Sequence, residues 1–198
     1  MTGSNALVLV GGGGHCRSCI DVVEAAGEWR IAAILDVANR VGERVLGHAV
    51  TGTDAEIERY VADGMVFLVT VGQIKSADVR MKLYERIRAA GGRQPTIVSP
   101  HAYVSPHAKL GEGTIVMHRA VVNAGAIVGD NVIINTMALV EHDARVGNHC
   151  HISTAAVVNG EAIIGERSFV GSNAIVHQCA RVPDGSVVPA GAVFRAVG

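Results

Sequence analysis

Aliphatic residues or Phe occupy every sixth position from Val98 to Phe194, seventeen in register with none missing. Four residues after each of the first sixteen, the position is Ala, Ser or Thr, except at Val132 and Cys150. A period of six fits neither an amphipathic helix nor an alternating strand. It is the period of hexapeptide repeats, in which each hexad supplies a short strand and a corner and three hexads close one triangular coil. Residues eighteen apart then stack. The aliphatic side chains fill the prism, each contributing roughly 1.5–3 kcal/mol on burial, and the small residues sit where the corner leaves little room. Residues 95–198 are therefore expected to form a parallel β-helix.

Residues 1–94 follow another rhythm. The pattern predicts a short apolar strand at 6–10, a glycine run at 11–14, a helix over 17–26 and a second strand over 31–35 that ends on Asp36. A third strand over 66–71 and a helix over 76–90, stopped by Gly91 and Gly92, complete it. Alternating strand and helix argue a small parallel sheet of Rossmann type. The chain thus reads as an α/β domain followed by an all-β one. Glycines between the first strand and helix let backbone N–H groups approach a phosphate. Gly11, Gly13 and Cys16 fill the three slots of G-x-G-x-x-G, so the third glycine is missing. With three strands predicted rather than six, a mononucleotide or nucleotide sugar suits this domain better than a dinucleotide. Asp36 is placed either to bind a ribose hydroxyl or base edge, or to solvate a tight turn.

Seventeen basic residues against eighteen acidic, and only seven aromatics, form no basic stripe interleaved with aromatics, which argues against nucleic acid as a partner. Residues 6–10 are too short for a signal h-region or a membrane span, so a cytoplasmic protein is expected. The four cysteines, Cys16, Cys19, Cys150 and Cys179, suit a reducing compartment. Cys16 and Cys19 form a C-x-x-C near a helix start, where a thiol pKa can fall. Packing is the reading adopted, because the rest of the chain does not look like a thioredoxin.

Nine histidines carry the remaining chemistry. His101, His107 and His118 fall near repeat corners, where solvation explains them. His142 stands in Val140-Glu141-His142-Asp143, at a corner, with a carboxylate directly following. Its ordinary pKa suits proton removal near neutral pH, and a carboxylate fixes the ring tautomer. One coil on, Gly160 presents a backbone N–H with no side chain beside it. A base next to a bare N–H can take a proton from a nucleophile and steady an oxyanion, as acyl transfer requires; the plainer reading is that Gly160 turns a corner. His149, Cys150 and His151 invite a metal reading, with His149 and His151 on one strand face. The H-x-x-x-x-H pair of the zinc-dependent carbonic anhydrases built on the same repeat is absent, so no metal is expected.

A glycine loop ending Gly14-His15, Asp36 after the second strand, Val71-Gly72-Gln73, the unbroken hexapeptide block and Glu141-His142-Asp143 together resemble the PglD/NeuD-like sugar acyltransferases. The resemblance implies a left-handed β-helix and transfer of acetyl from acetyl-CoA to the 4-amino group of a UDP- or GDP-linked dideoxy sugar. Some members are sialic acid O-acetyltransferases, which keeps O-acetylation as an alternative; a non-catalytic, trimeric sugar-nucleotide-binding scaffold is another. The resemblance further implies His142 as general base, Asp143 as its orienting partner, and His151 and Gly160 beside acetyl-CoA. Gly13, Gly14, His15, Asp36, Gly72 and Gln73 would line the nucleotide-sugar cleft. No Cys or Ser nucleophile is suitably placed, so direct transfer is expected. The family's G-x-P-A-K segment is absent from the end of the chain, and acetyl-CoA contacts there are left unassigned. The family also implies a homotrimer with sites shared between subunits. Val121, Ile133, Val157 and Ile163, outside the interior register, are expected to form one flat apolar face buried against a partner.

Overall fold

A computed structural model describes residues 5–195. The chain divides into two compact units, one reaching to Gly72 and including Asp78–Pro95, the other made of Gln73–Ala77 and the chain from Thr96 onwards. Gln73–Ala77, inside the expected first domain, thus groups with the second unit.

In the first unit β1 (Ala6–Val10) lies between β2 (Arg30–Leu35) and β5 (Val66–Val69), parallel to both. The runs ALVLV and VFLV are buried along their whole length, as strands covered on both faces require. Helix α1 (Gly14–Ala26) buries Cys16, Cys19, Ile20 and Val23 on one face. Gly27 ends it in the left-handed region, φ 67°, with its N–H donating to the Val23 carbonyl at 3.2 Å. Helix α3 (Asp78–Ala89) buries Tyr84 and Ile87.

Two features correct the expected three-stranded parallel sheet. Strands β3 (Arg44–Val45) and β4 (His48–Gly52) bring the sheet to five, in the order β3-β4-β2-β1-β5, and the β3–β4 pair is antiparallel. Their two-residue turn, Leu46-Gly47, has φ of 48° and 88°, the positive values a tight hairpin needs. Leu in the first of these positions hides the signal that Asn-Gly would give. A short helix α2 (Ile57–Ala62) follows, buried through Ile57 and Tyr60.

The second unit is a triangular coil of two-residue strands from Ile97–Val98 to Val193–Phe194, in three parallel sheets of six, six and five strands. Strands starting at 97, 115, 133, 151, 169 and 187 make one face, those at 103, 121, 139, 157, 175 and 193 the second, and those at 109, 127, 145, 163 and 181 the third. The second residue of each strand points inward. All seventeen periodic residues join one core, with Val98, Val104, Leu110 and Phe194 at its partly covered ends.

From Gly113 onwards each corner passes through the left-handed region. Fourteen residues from 113 to 191, six apart, have φ between 52° and 76°, and only four of them are glycine. That conformation costs roughly 1–2 kcal/mol for a residue with a Cβ, and the coil imposes it because the rungs above and below fix the turn. One corner column is also tied side chain to backbone: the Glu112 N–H donates to Asp130 Oδ1 at 2.9 Å, Asp130 N–H to Asn148 Oδ1 at 2.8 Å, and Glu166 N–H to Asp184 Oδ1 at 2.9 Å.

The expected single apolar face does not exist. Val121 and Val157 lie on the second face, Ile133 on the first and Ile163 on the third, because residues share a face only when their spacing is a multiple of eighteen. Ile133 is also fully buried within the chain itself. The outward column that is apolar throughout is Tyr103, Val121, Leu139, Val157, Ile175 and Val193 on the second face.

Candidate active site

The corner after Leu139–Val140 holds the His142–Asp143 pair. Val140 anchors it in the core, Asp143 takes the left-handed position with φ 59°, and buried Ala144 closes it. Three hydrogen bonds fix its height in the stack: Asp143 N–H to the Ala124 carbonyl at 3.1 Å, Ala144 N–H to Glu141 at 3.3 Å, and Glu161 N–H to the His142 carbonyl at 3.1 Å. His142 is thereby turned outward, 54% exposed, beside Gly160 of the next coil.

Two glycines make room for the pair. A Cβ on Gly160 would stand 2.6 Å from His142 Nε2, and one on Gly125 would strike Asp143 Oδ1. Gly125 precedes Asp143 by eighteen residues just as Gly160 follows His142 by eighteen. The same period of eighteen residues marks Gly125 in the sequence. Gly160 N–H makes no hydrogen bond among the described residues.

His142 Nδ1 and Asp143 Oδ2 are 3.0 Å apart. A carboxylate can only accept, so Nδ1 carries the proton and Nε2 keeps its lone pair on the Gly160 side. The hydrogen bond to Asp143 raises the imidazole pKa above its ordinary value, desolvation opposes this, and the charges of Asp143, Glu141 and Glu161 add to the rise. Glu141 is itself held in place, its Oε2 accepting from Asn123 Nδ2 at 2.9 Å and from the His142 N–H at 3.2 Å.

His151 has another environment. It lies on the first face, away from the corner of His142, and is buried. Its Nδ1–H donates to the Gln73 carbonyl at 2.7 Å, since a carbonyl only accepts, and its Nε2 accepts from Asn135 Nδ2 at 3.0 Å. The edge of Phe169 packs on the ring at a centroid distance of 5.2 Å. Gln73, expected in the nucleotide-sugar cleft, is part of this second unit; its Nε2 donates to the carbonyls of Arg167 and Ser168 at 3.4 and 3.3 Å. His149 pairs through Nδ1 with Asn131 at 3.0 Å. Among the described residues no three His, Cys, Asp or Glu side chains are grouped to hold a metal ion.

In the first unit the glycine run lies at the carboxyl ends of the strands. Gly11, with φ 109°, passes so close to Val71 that no side chain fits, and its carbonyl accepts from Thr70 Oγ1 at 2.6 Å. Gly13 and Gly14 face open space, so packing does not require them to be glycine. His15 and Gly72 are neighbours, a Cβ on Gly72 coming 3.4 Å from that of His15. Asp36 is fully engaged: Oδ2 accepts from Gly12 N–H at 2.8 Å and Arg40 Nη1 at 2.7 Å, and Oδ1 from Val37 N–H at 2.8 Å. It is neither a solvated turn residue nor an idle acceptor, but the clamp that ties the glycine loop to β2. A cavity of about 450 Å³ opens beside it, walled by Val10, Leu35, Val37, Asp54, Val79 and Leu83 among others. Cys16 and Cys19 are buried, and burial pushes the Cys16 thiol up to about 11 and raises Cys19 as well, outweighing any helix-terminus effect. Both are neutral packing groups.

A glycine-looped α/β unit joined to a hexapeptide coil with a corner His–Asp pair defines a class, the hexapeptide-repeat acyltransferases with a PglD-type front domain. The sequence family described as PglD N-terminal domain matches residues 6–87. A perosamine N-acetyltransferase from Caulobacter crescentus, whose crystal structure with CoA and GDP-perosamine has one histidine replaced by asparagine, is 35% identical. It superposes with a TM-score of 0.89 over 98% of this chain and 89% of that one. The acetyltransferase domain of PglB from Neisseria gonorrhoeae FA1090 is 33% identical with a TM-score of 0.88, covering 96% of this chain and 91% of that one. A UDP-N-acetylbacillosamine N-acetyltransferase from Bacillus subtilis (strain 168) is 32% identical over 110 residues, 54% of this chain; the match spans about half, 49%, of that protein. The chain belongs to the PglD-like family of sugar acyltransferases, and its coil is the left-handed parallel β-helix of that family.

Proposed function

We propose that this protein is an acetyl-CoA-dependent N-acetyltransferase acting on the 4-amino group of a nucleotide-linked amino-dideoxy sugar. The observation that carries the reading is the His142–Asp143 pair, with Nδ1 committed to the carboxylate and Nε2 turned to Gly160. The relatives supply the substrates: CoA with GDP-perosamine for the Caulobacter enzyme and acetyl coenzyme A for the Neisseria domain.

In this mechanism the amine attacks the thioester carbonyl carbon, forming the N–C bond, while His142 Nε2 takes the proton the amine must lose. The negative charge that gathers on the carbonyl oxygen is met by the unengaged N–H of Gly160. Collapse breaks the C–S bond, and the imidazolium returns the proton to the departing CoA sulfur. No acyl-enzyme forms. Asp143 holds the ring and stabilises its charged state without taking the proton. Gly13, Gly14, His15, Asp36 and Gly72 serve the nucleotide-sugar side of the reaction, Asp36 by holding the glycine loop. His151 and Gln73, hydrogen-bonded to each other on the first face, take no step at the His142 corner of the same chain.

The working unit in this reading is a homotrimer with its sites at subunit boundaries, and the apolar column on the second face supports it, with Tyr103, Ile175 and Val193 left 38–56% exposed. No helix among the described residues is long and apolar enough to cross a membrane; a cytoplasmic reaction is part of this reading, supported by the nature of its proposed substrates, nucleotide sugars and acetyl-CoA. The test is incubation with acetyl-CoA and a panel of UDP-, GDP- and dTDP-linked 4-amino sugars and their 4-hydroxy counterparts, reading CoA release and product mass. Acetylation of an amino sugar is expected; turnover on hydroxyl acceptors alone would overturn it.

A further inference from the structure

We propose that the cavity of the first unit is a base pocket for guanine and that Asp54 reads the base, so that the carrier of the sugar is GDP rather than UDP or dTDP. The inference deepens the proposed function and rests on it for the presence of a nucleotide.

The cavity, at about 450 Å³, is within the roughly 300–1,000 Å³ common for small-molecule sites. It lies at the carboxyl ends of β1 and β2, where open α/β sheets bind their ligands. Its walls are mostly aliphatic, and Val37 and Val79 are each left 59% exposed in the free chain. A planar ring between them would cover both. The polar side chains of the lining are Asp36, Thr53 and Asp54, two carboxylates and a hydroxyl, with no cation. Such a wall repels phosphate and favours a ligand edge that donates.

Of the two carboxylates, Asp36 is committed to three donors, the N–H groups of Gly12 and Val37 and the Arg40 guanidinium. Thr53 Oγ1 accepts from the Ala55 N–H at 3.3 Å, which leaves its O–H to donate. Asp54 is held by one contact, Arg86 Nη1 on Oδ2 at 3.1 Å, and the same arginine is tied to Glu58. That fixes the carboxylate yet leaves both oxygens with lone pairs to give. Guanine offers two parallel N–H donors, N1–H and the 2-amino group, whose spacing matches the two oxygens of a carboxylate, and charge assistance strengthens such a pair. Its O6 suits the Thr53 hydroxyl. Uracil and thymine present a single N3–H between two carbonyl oxygens, which a carboxylate repels. Adenine and cytosine each place a bare ring nitrogen beside their amino group, so neither fills both oxygens.

Binding of GDP, UDP and ADP to the full chain, measured by calorimetry without acetyl-CoA, tests this apart from catalysis. GDP is expected to bind at least about tenfold more tightly than UDP or ADP, and Asp54→Asn to bring the GDP and UDP constants within about threefold by weakening GDP alone. UDP binding as tightly as GDP, or an Asp54→Asn protein of unchanged melting temperature that keeps the preference, would overturn the assignment. Should Asp54→Asn fail to fold, the wild-type ratio, and guanosine against uridine as competitors, still decide. Acetyl transfer to a UDP-linked sugar with no guanine preference sinks this inference and leaves the proposed function standing. Guanine preference without transfer to any sugar does the reverse.

Discussion

In the proposed mechanism His142 owes its readiness as a base to the residue that follows it. Asp143 orients the ring and raises its pKa. The base is active when neutral, so kcat/KM falls as pH drops through this raised pKa. In Asp143→Asn the largest cause of the shift is lost, and the acidic limb should move down towards the ordinary value of about 6.5. A pH–rate profile whose acidic limb does not move would separate Asp143 from the chemistry. Gly160→Ala should leave the fold intact but push the imidazole aside, since the new methyl would meet Nε2 at 2.6 Å. A displacement of that order costs about 10²-fold in kcat, read in a steady-state assay beside an unchanged melting curve. The pair and its glycine were legible from the sequence because a period of six converts directly into a spacing of eighteen between stacked residues. Asp36 was legible only as an acid at a strand end; that Arg40, Gly12 and Val37 use up its oxygens depends on loop geometry that no spacing encodes.

The hexad is the element that sets stability. Its inward residue was plain in the sequence, but its left-handed corner was not, because ten of the fourteen corner residues are not glycine and so carry no mark of it. Met137, exposed with φ 60°, sits at one such corner. Met137→Gly should raise stability by up to about 1 kcal/mol by relieving that conformation, whereas Ile152→Ala in the core should lower it by about 2–5 kcal/mol. Both are read as shifts in urea midpoint; a loss in the first variant would mean that the rungs do not impose the strain. In the front unit the same kind of concealment hid β3 and β4, whose turn uses Leu46 where Asn or Gly would have announced a hairpin.

At the scale of the whole molecule, two units with unrelated periodicities meet in one chain, and the change of rhythm near residue 95 was visible at once. That Gln73–Ala77 groups with the coil was not, because a five-residue segment has no period of its own. The proposed trimer rests on the apolar column of the second face. An acidic residue at Val157, in the middle of the apolar column, should shift the protein from trimer to monomer in light scattering and reduce activity with it; a trimer that tolerates Val157→Glu would put the subunit boundary elsewhere. The final segment Ala196–Gly198, where the hexapeptide pattern runs out, lies outside the described residues.

The proposed transfer depends above all on the imidazole at the corner of the coil. The direct measurement is kcat of His142→Ala on acetyl-CoA and the nucleotide-linked amino sugar, alongside its affinity for acetyl-CoA. A fall of about 10²- to 10⁴-fold in kcat, with acetyl-CoA bound as tightly as before, is the expected result. Undiminished turnover in a folded variant would contradict it.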